Sequence, residues 1–134
     1  MRNNVMNRWR EIAEANGYSF VCEFIDKIAT AGVEYSFPCL WLLPLSVVKI
    51  EPTRTTYTAT LFLLERGTTA TIEERNDVWD RFEREVLDMA REFPTDVLDI
   101  DPATLSLSLV EQPLSGSIEY GIKATATIYA YRCA

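Results

Sequence analysis

Carboxylates and thiols are the only side chains in this 134-residue chain with obvious chemical potential, because histidine is absent. Its absence removes the commonest general base, the Ser-His-Asp and Cys-His arrangements, and every His-containing metal site. Asp96, Asp99 and Asp101 fall close together and could hold a divalent cation through oxygen. Their spacing is not that of an EF-hand loop, which also needs a turn glycine and a distal glutamate, so a solvated acidic loop is the simpler reading. Two carboxylates converging in space, as in glycoside hydrolysis, leave no spacing signature, and no aromatic sugar platform is discernible. Five glycines never form GxGxxG or GxxxxGK[ST], so neither standard phosphate cradle is present. Cys22, Cys39 and Cys133 have no CxxC spacing. Cys39 lies in an apolar run that disfavours its thiolate, which points to inert packing and a reducing compartment. The residues predict no enzyme, no cofactor and no metal.

Charge narrows the partners. Twenty acidic and 13 basic residues give a formal net charge of −7. Proteins that grip nucleic acid release counterions through clustered Lys and Arg. Here the basic residues are scattered, with lysines only at 27, 49 and 123. Sequence-general nucleic-acid binding and an anionic membrane surface are both disfavoured. The N-terminal stretch MRNNVMNRWREIAE has no apolar h-region, and the run Leu40 to Leu45 is too short to span a bilayer. These features predict a soluble protein of the cytoplasm.

The elements that must position these residues fit one α+β domain over 1–134. Residues 3–16 carry an apolar stripe of Val5, Trp9, Ile12 and Ala13, stopped by Asn16-Gly17. Tyr18 to Ile28 alternates as a strand, and Ala29 to Ser36 reads as a loop. Phe37 to Leu43, bounded by Pro38 and Pro44, reads as a strand at or near an edge, or broken there, with Val47 to Ile50 as a possible continuation. Thr55 to Glu65 alternates clearly. After a turn at Arg66 to Thr69, Thr71-Ile72-Glu73-Glu74 has capping-box form. The helix that follows carries Val78, Phe82, Val86, Met89 and Phe93 inward, with Asp77–Arg81 and Asp80–Arg84 spaced to pair outside.

Pro94 ends this helix. Asp96 to Pro102 then reads as an acidic connection. Thr104 to Val110 turns Leu105, Leu107 and Leu109 inward, and Gln112 to Gly116 supplies a hairpin loop to a last strand from Ile118 to Tyr131. The order α-β-β-β-α-β-β predicts an antiparallel or mixed sheet with the N-terminal helix and the long central helix packed on one face.

Three aromatics invite an interaction reading. Trp9 and Trp41 fall on core positions. Trp79 lies beside the line Val78-Phe82-Val86 and next to Asp80, which marks it either as a partly exposed anchor for another subunit or as a half-buried flank. Tyr129 and Tyr131 share a face with Thr125 and Thr127, which either stays solvated or meets a neighbouring sheet.

The layout resembles the tail terminator and tail-completion proteins of tailed bacteriophages. An N-terminal helix, the segment Phe37-Pro38-Cys39-Leu40-Trp41-Leu42-Leu43-Pro44, the strand Thr55 to Glu65, one long helix from Ile72 to Phe93 and a closing hairpin carry the likeness. The segment Tyr18 to Ser36 is longer than that pattern, which leaves open a related neck, connector or baseplate role with a different ring symmetry. The resemblance implies a structural virion protein made in the host cytoplasm and forming a homo-oligomeric ring, a hexamer or higher multiple. Its neighbours would be the tail tube and the connector or neck proteins, and DNA would pass through it unbound. Six copies at −7 would carry −42, and like charge keeps contacts with passing phosphate weak. On that reading Glu51, Asp96, Asp99 and Asp101 are the channel-lining residues, placed on connecting loops. The rival expectations are a non-catalytic α+β module binding a small ligand or a protein, and a carboxylate-dependent enzyme.

Overall fold

A computed structural model describes residues 1–24, 36–67, 71–111 and 119–132. Among them the chain forms two helices and six strands, in the order α1 (Arg2–Ala15), β1 (Ser19–Cys22), β2 (Cys39–Leu42), β3 (Ser46–Ile50), β4 (Arg54–Arg66), α2 (Ile72–Glu92), β5 (Leu98–Glu111) and β6 (Glu119–Tyr131). The sheet order is β1-β2-β4-β6-β5, and β3 pairs with β4 beyond the end of β2. β1 and β2 run parallel while the other pairings are antiparallel, so the sheet is mixed. This is the expected α+β class.

Both helices cover one face because their apolar stripes match what the sheet offers there. α1 buries Val5, Trp9, Ile12 and Ala13. α2 buries Trp79, Phe82, Val86, Met89 and Ala90. Opposite them lie Leu40 and Leu42 of β2, the odd-numbered residues Tyr57 to Leu63 of β4, and Ile122, Ala124, Ala126 and Ile128 of β6. The small alanines of β6 let α2 approach the middle of the sheet. Arg8 ties the helices together at one end. Its guanidinium donates to the carbonyl oxygens of Phe93 (3.0 Å) and Glu92, meeting the unpaired acceptors where α2 stops. The rings of Trp9 and Phe93 stack at 4.8 Å beside it. At the other end of α2 the Thr71 hydroxyl accepts the Glu74 amide at 3.2 Å, the expected N-cap. Gly17, with φ +82°, closes α1 as expected, and the Tyr18 amide reaches back to the Ala13 carbonyl at 2.9 Å.

A second, smaller core lies on the opposite face. Val21, Cys39, Trp41, Phe62 and Leu64 are buried together there, with Phe37, Leu43 and Val110 against them. The Trp41 indole donates to the Glu23 carbonyl at 2.7 Å. Elsewhere this outer face is rich in hydroxyls. Thr56, Thr58 and Thr60 of β4 stand opposite Tyr129, Thr127 and Thr125 of β6.

Several expectations are corrected. The proline-flanked segment yields two strands: Pro44 ends β2, and β3 resumes on the same side of β4, so four strands precede α2 instead of three. β1 ends at Cys22, while positions 25–28 of its expected extent, the loop over 29–35, part of the 66–69 turn, the 112–116 loop and Cys133 lie outside the described residues. Asp99 and Asp101 are not on a loop. β5 starts at Leu98, and both residues sit in its ladder opposite Tyr129 and Thr127. The register then breaks between Asp101 and Ser106, where Pro102 offers no amide to a ladder. Arg81 bonds Glu65 at 3.2 Å and Glu85 at 3.8 Å instead of Asp77. Among the described residues no helix is long and apolar enough to cross a membrane.

Candidate assembly surfaces

Two thiols and one tyrosine hydroxyl are held protonated by their surroundings. Burial pushes the Cys39 thiol up to about 11, and burial also raises Cys22, so neither is a ready thiolate. Tyr18 donates its hydroxyl to the Glu85 carboxylate, and burial first, then that bond, raises its pKa far above the ordinary phenol value. Glu85 in turn pairs with Arg81, and Arg81 with Glu65, so the tyrosine is one end of a seam joining the start of β1, α2 and the end of β4. Among the described residues no group of three or more Cys, Asp or Glu is placed to hold a metal ion.

Surfaces remain, and they divide by position along the sheet. All but one of the residues picked from the sequence gather at the end where β4 begins and β6 finishes. There Thr56 stands opposite Tyr129, and Tyr129 stands opposite Asp99 on the other side. The Arg54 guanidinium lies 4.5 Å from the Tyr129 ring centre, and its Nε donates to the Glu51 carboxylate at 3.2 Å. Arg132 donates to the Glu51 carbonyl and, at 2.6 Å, to the Thr55 hydroxyl. The Tyr131 amide bonds the Val97 carbonyl at 2.8 Å, which brings exposed Asp96 to the same end. Glu51, Asp96, Asp99, Tyr129 and Tyr131 are thus brought together, with Asp101 two residues further along β5. Tyr131 is exposed and Tyr129 half-buried.

Trp79 is the exception, and its expected role is corrected. It is only 8% exposed and sits at the far end of the molecule, its ring edge-on to Tyr120 with centroids 6.0 Å apart. The buried stripe of α2 includes it because β6 and the end of β4 extend past the line Val78-Phe82-Val86. Val78 is the half-buried flank instead. An aromatic anchor for a partner must be reachable, and this one is filled in by its own fold.

Spacing missed two apolar surfaces. On β5, Leu107 and Leu109 stand opposite Ala124 and Ile122 and so belong to the helix face, yet they are 39% and 56% exposed. β5 ends the sheet on this side, and α2 covers its start at Leu98 and Ile100 but not this second half. Between α2 and β5 runs a groove with two open clefts. One of about 440 Å³ is lined by Leu87, Ala90, Pro94, Ile100 and Pro102. The other, of about 160 Å³, lies beside Glu83, Leu107 and Leu109. Across the sheet, every residue of β3 is exposed, including Val47, Val48 and Ile50. A third cleft, between α1 and the end of β2, has a volume of about 150 Å³, below the range usual for small-molecule sites.

A signal for both surfaces is present in the sequence: Val47-Val48-Lys49-Ile50 and Leu105-Ser106-Leu107-Ser108-Leu109 are strand patterns with apolar residues. Only the strand order tells that they end at the rims. No family model matches this chain, and no curated protein matches it.

Proposed function

We propose that this protein is a structural component of a tailed-bacteriophage virion that forms a homo-oligomeric ring at the tail-to-head junction, in the manner of a tail terminator or connector. The observation that carries the reading is the pair of unlike apolar rims. β3 on one side of the sheet and β5 with its groove on the other each expose aliphatic side chains beside strand edges that are unpaired among the described residues. A patch that matches a different patch on the same chain makes a head-to-tail contact, and such contacts close into rings when the rotation allows. A two-fold dimer would need only one patch.

Virion placement rests on the layout of the chain and on its charge. A net −7 per copy suits a ring whose lumen must let DNA slide. The end carrying Glu51, Asp96, Asp99 and Asp101 is the surface assigned to that lumen, with Arg54 and Arg132 compensating part of its charge.

Light scattering on the eluting protein, alone and after mixing with purified tail tubes, tests the reading. The expected result is a species several times the 15.3 kDa chain mass, hexameric at six times, or co-sedimentation with the tubes. A chain that stays monomeric at millimolar concentration and ignores the tubes would overturn it.

A further inference from the structure

We infer that the ring contact is a continuation of the β-sheet from copy to copy, in which β3 of one chain lies along β5 of the next. This rests on the ring reading and adds the surface to it. Three features of one chain point to the same pairing.

The first is the state of the two edges. Among the described residues β3 pairs only with β4, and β5 only with β6, so each presents a row of backbone donors and acceptors to the outside. An open strand edge is the standard template for strand addition by another chain. β5 is blunted at Pro102 and the adjoining register break, but Ser106–Glu111 is laddered without interruption to β6 and contains no proline. β3, at five residues, is shorter than that stretch.

The second is face matching. In β3, Val47 and Ile50 stand opposite Tyr57 and Thr55, which puts them on the helix face. In β5 the exposed leucines Leu107 and Leu109 lie on that same face. Setting β3 beside β5 in a continuous sheet therefore brings aliphatic next to aliphatic, under the overhanging flank of α2 at Leu87. Side chains alternate strictly across a strand, so a pairing of the wrong parity would bury Ser46 and Lys49 there instead.

The third is charge on that same face. Beside β3 the Arg2 guanidinium lies 5.4 Å from the centre of the Tyr57 ring, which Val47 stands opposite. Beside the exposed leucines of β5 stands Glu83 of α2. A cation beside one strand and an anion beside the other attract between copies, whereas β3 against β3 or β5 against β5 sets like against like, which favours the head-to-tail arrangement.

The test is site-directed crosslinking in a chain whose Cys22 and Cys133 are replaced by serine. Ile50→Cys and Leu109→Cys are made singly and together, and each is treated with a short thiol-to-thiol crosslinker, which tolerates uncertainty in register. The expected result is a ladder of covalent multimers from the double variant, ending at the ring number, with monomer only from each single variant. A mixture of the two single variants should give dimers and nothing larger. Dimers from a single variant alone would overturn the pairing in favour of a two-fold contact. A ring mass by light scattering with no ladder would overturn this pairing while leaving the ring intact. A monomer mass with no ladder would overturn both.

Discussion

Replacing Trp79 by alanine should cost stability and not assembly. A buried aromatic removes roughly 150–250 Å² from water. At about 25 cal/mol per Å² this is worth roughly 4–6 kcal/mol as an upper bound. Truncation of large core aromatics typically costs about 3–5 kcal/mol. Trp79 is 8% exposed and its indole N–H has no hydrogen-bond partner among the described residues, so the tryptophan already bears a desolvation penalty. Relief of that penalty, about 1–3 kcal/mol, brings the expected loss for Trp79→Ala to about 3 kcal/mol. Trp79→Phe keeps an aromatic ring against Tyr120 while removing the unpaired donor, and should cost about 1 kcal/mol or less. Urea unfolding followed by far-UV circular dichroism, at a concentration below self-association, measures both. A loss under about 1 kcal/mol for the alanine variant, joined to a fall in assembled mass, would refute the placement of Trp79 in the core and restore it as an anchor.

Two further outcomes follow from the interior. Gly121 lies in the middle of the sheet, and a Cβ there would collide with the Leu63 carbonyl oxygen, which is backbone and cannot rotate away; Gly121→Ala should therefore destabilise by about 3 kcal/mol or prevent folding, as read by the urea midpoint. Cys39 is raised from 9.0 to about 11 and Tyr18 is raised from 10.0, so the folded state holds protons that the unfolded chain gives up. Their contribution is complete below pH 9.0 and declines as pH rises through and beyond that value, first through Cys39 and then through Tyr18; Cys39→Ala should flatten the stability profile between pH 9 and 11, and an unchanged slope would refute the assignment.

Much of the architecture was legible locally. Helical spacing located α1 and α2 to within a residue or two, together with the Gly17 stop and the Thr71 cap. Alternation located β4 and β6, which pair along their whole lengths. These signals are strong because each element buries one face, and burial imposes a period of 3.6 or 2 on the residues themselves. Asp99 and Asp101 read locally as loop because aspartate and proline disfavour strands in isolation. Pairing with β6 overrides that preference.

What only the tertiary structure decided is which apolar residues remain uncovered. Nothing local distinguishes Leu107 from the buried Ile128, since both alternate with hydroxyl-bearing neighbours, and nothing local shows that Trp79 is covered while Val48 is not. Burial is settled by strand order. β4 and β6 are central and lie under the helices, whereas β3 and the Ser106–Glu111 part of β5 are rims left uncovered. Periodicity reports that a side chain has an inner face to turn to, and only the packing of distant segments determines whether anything stands against it.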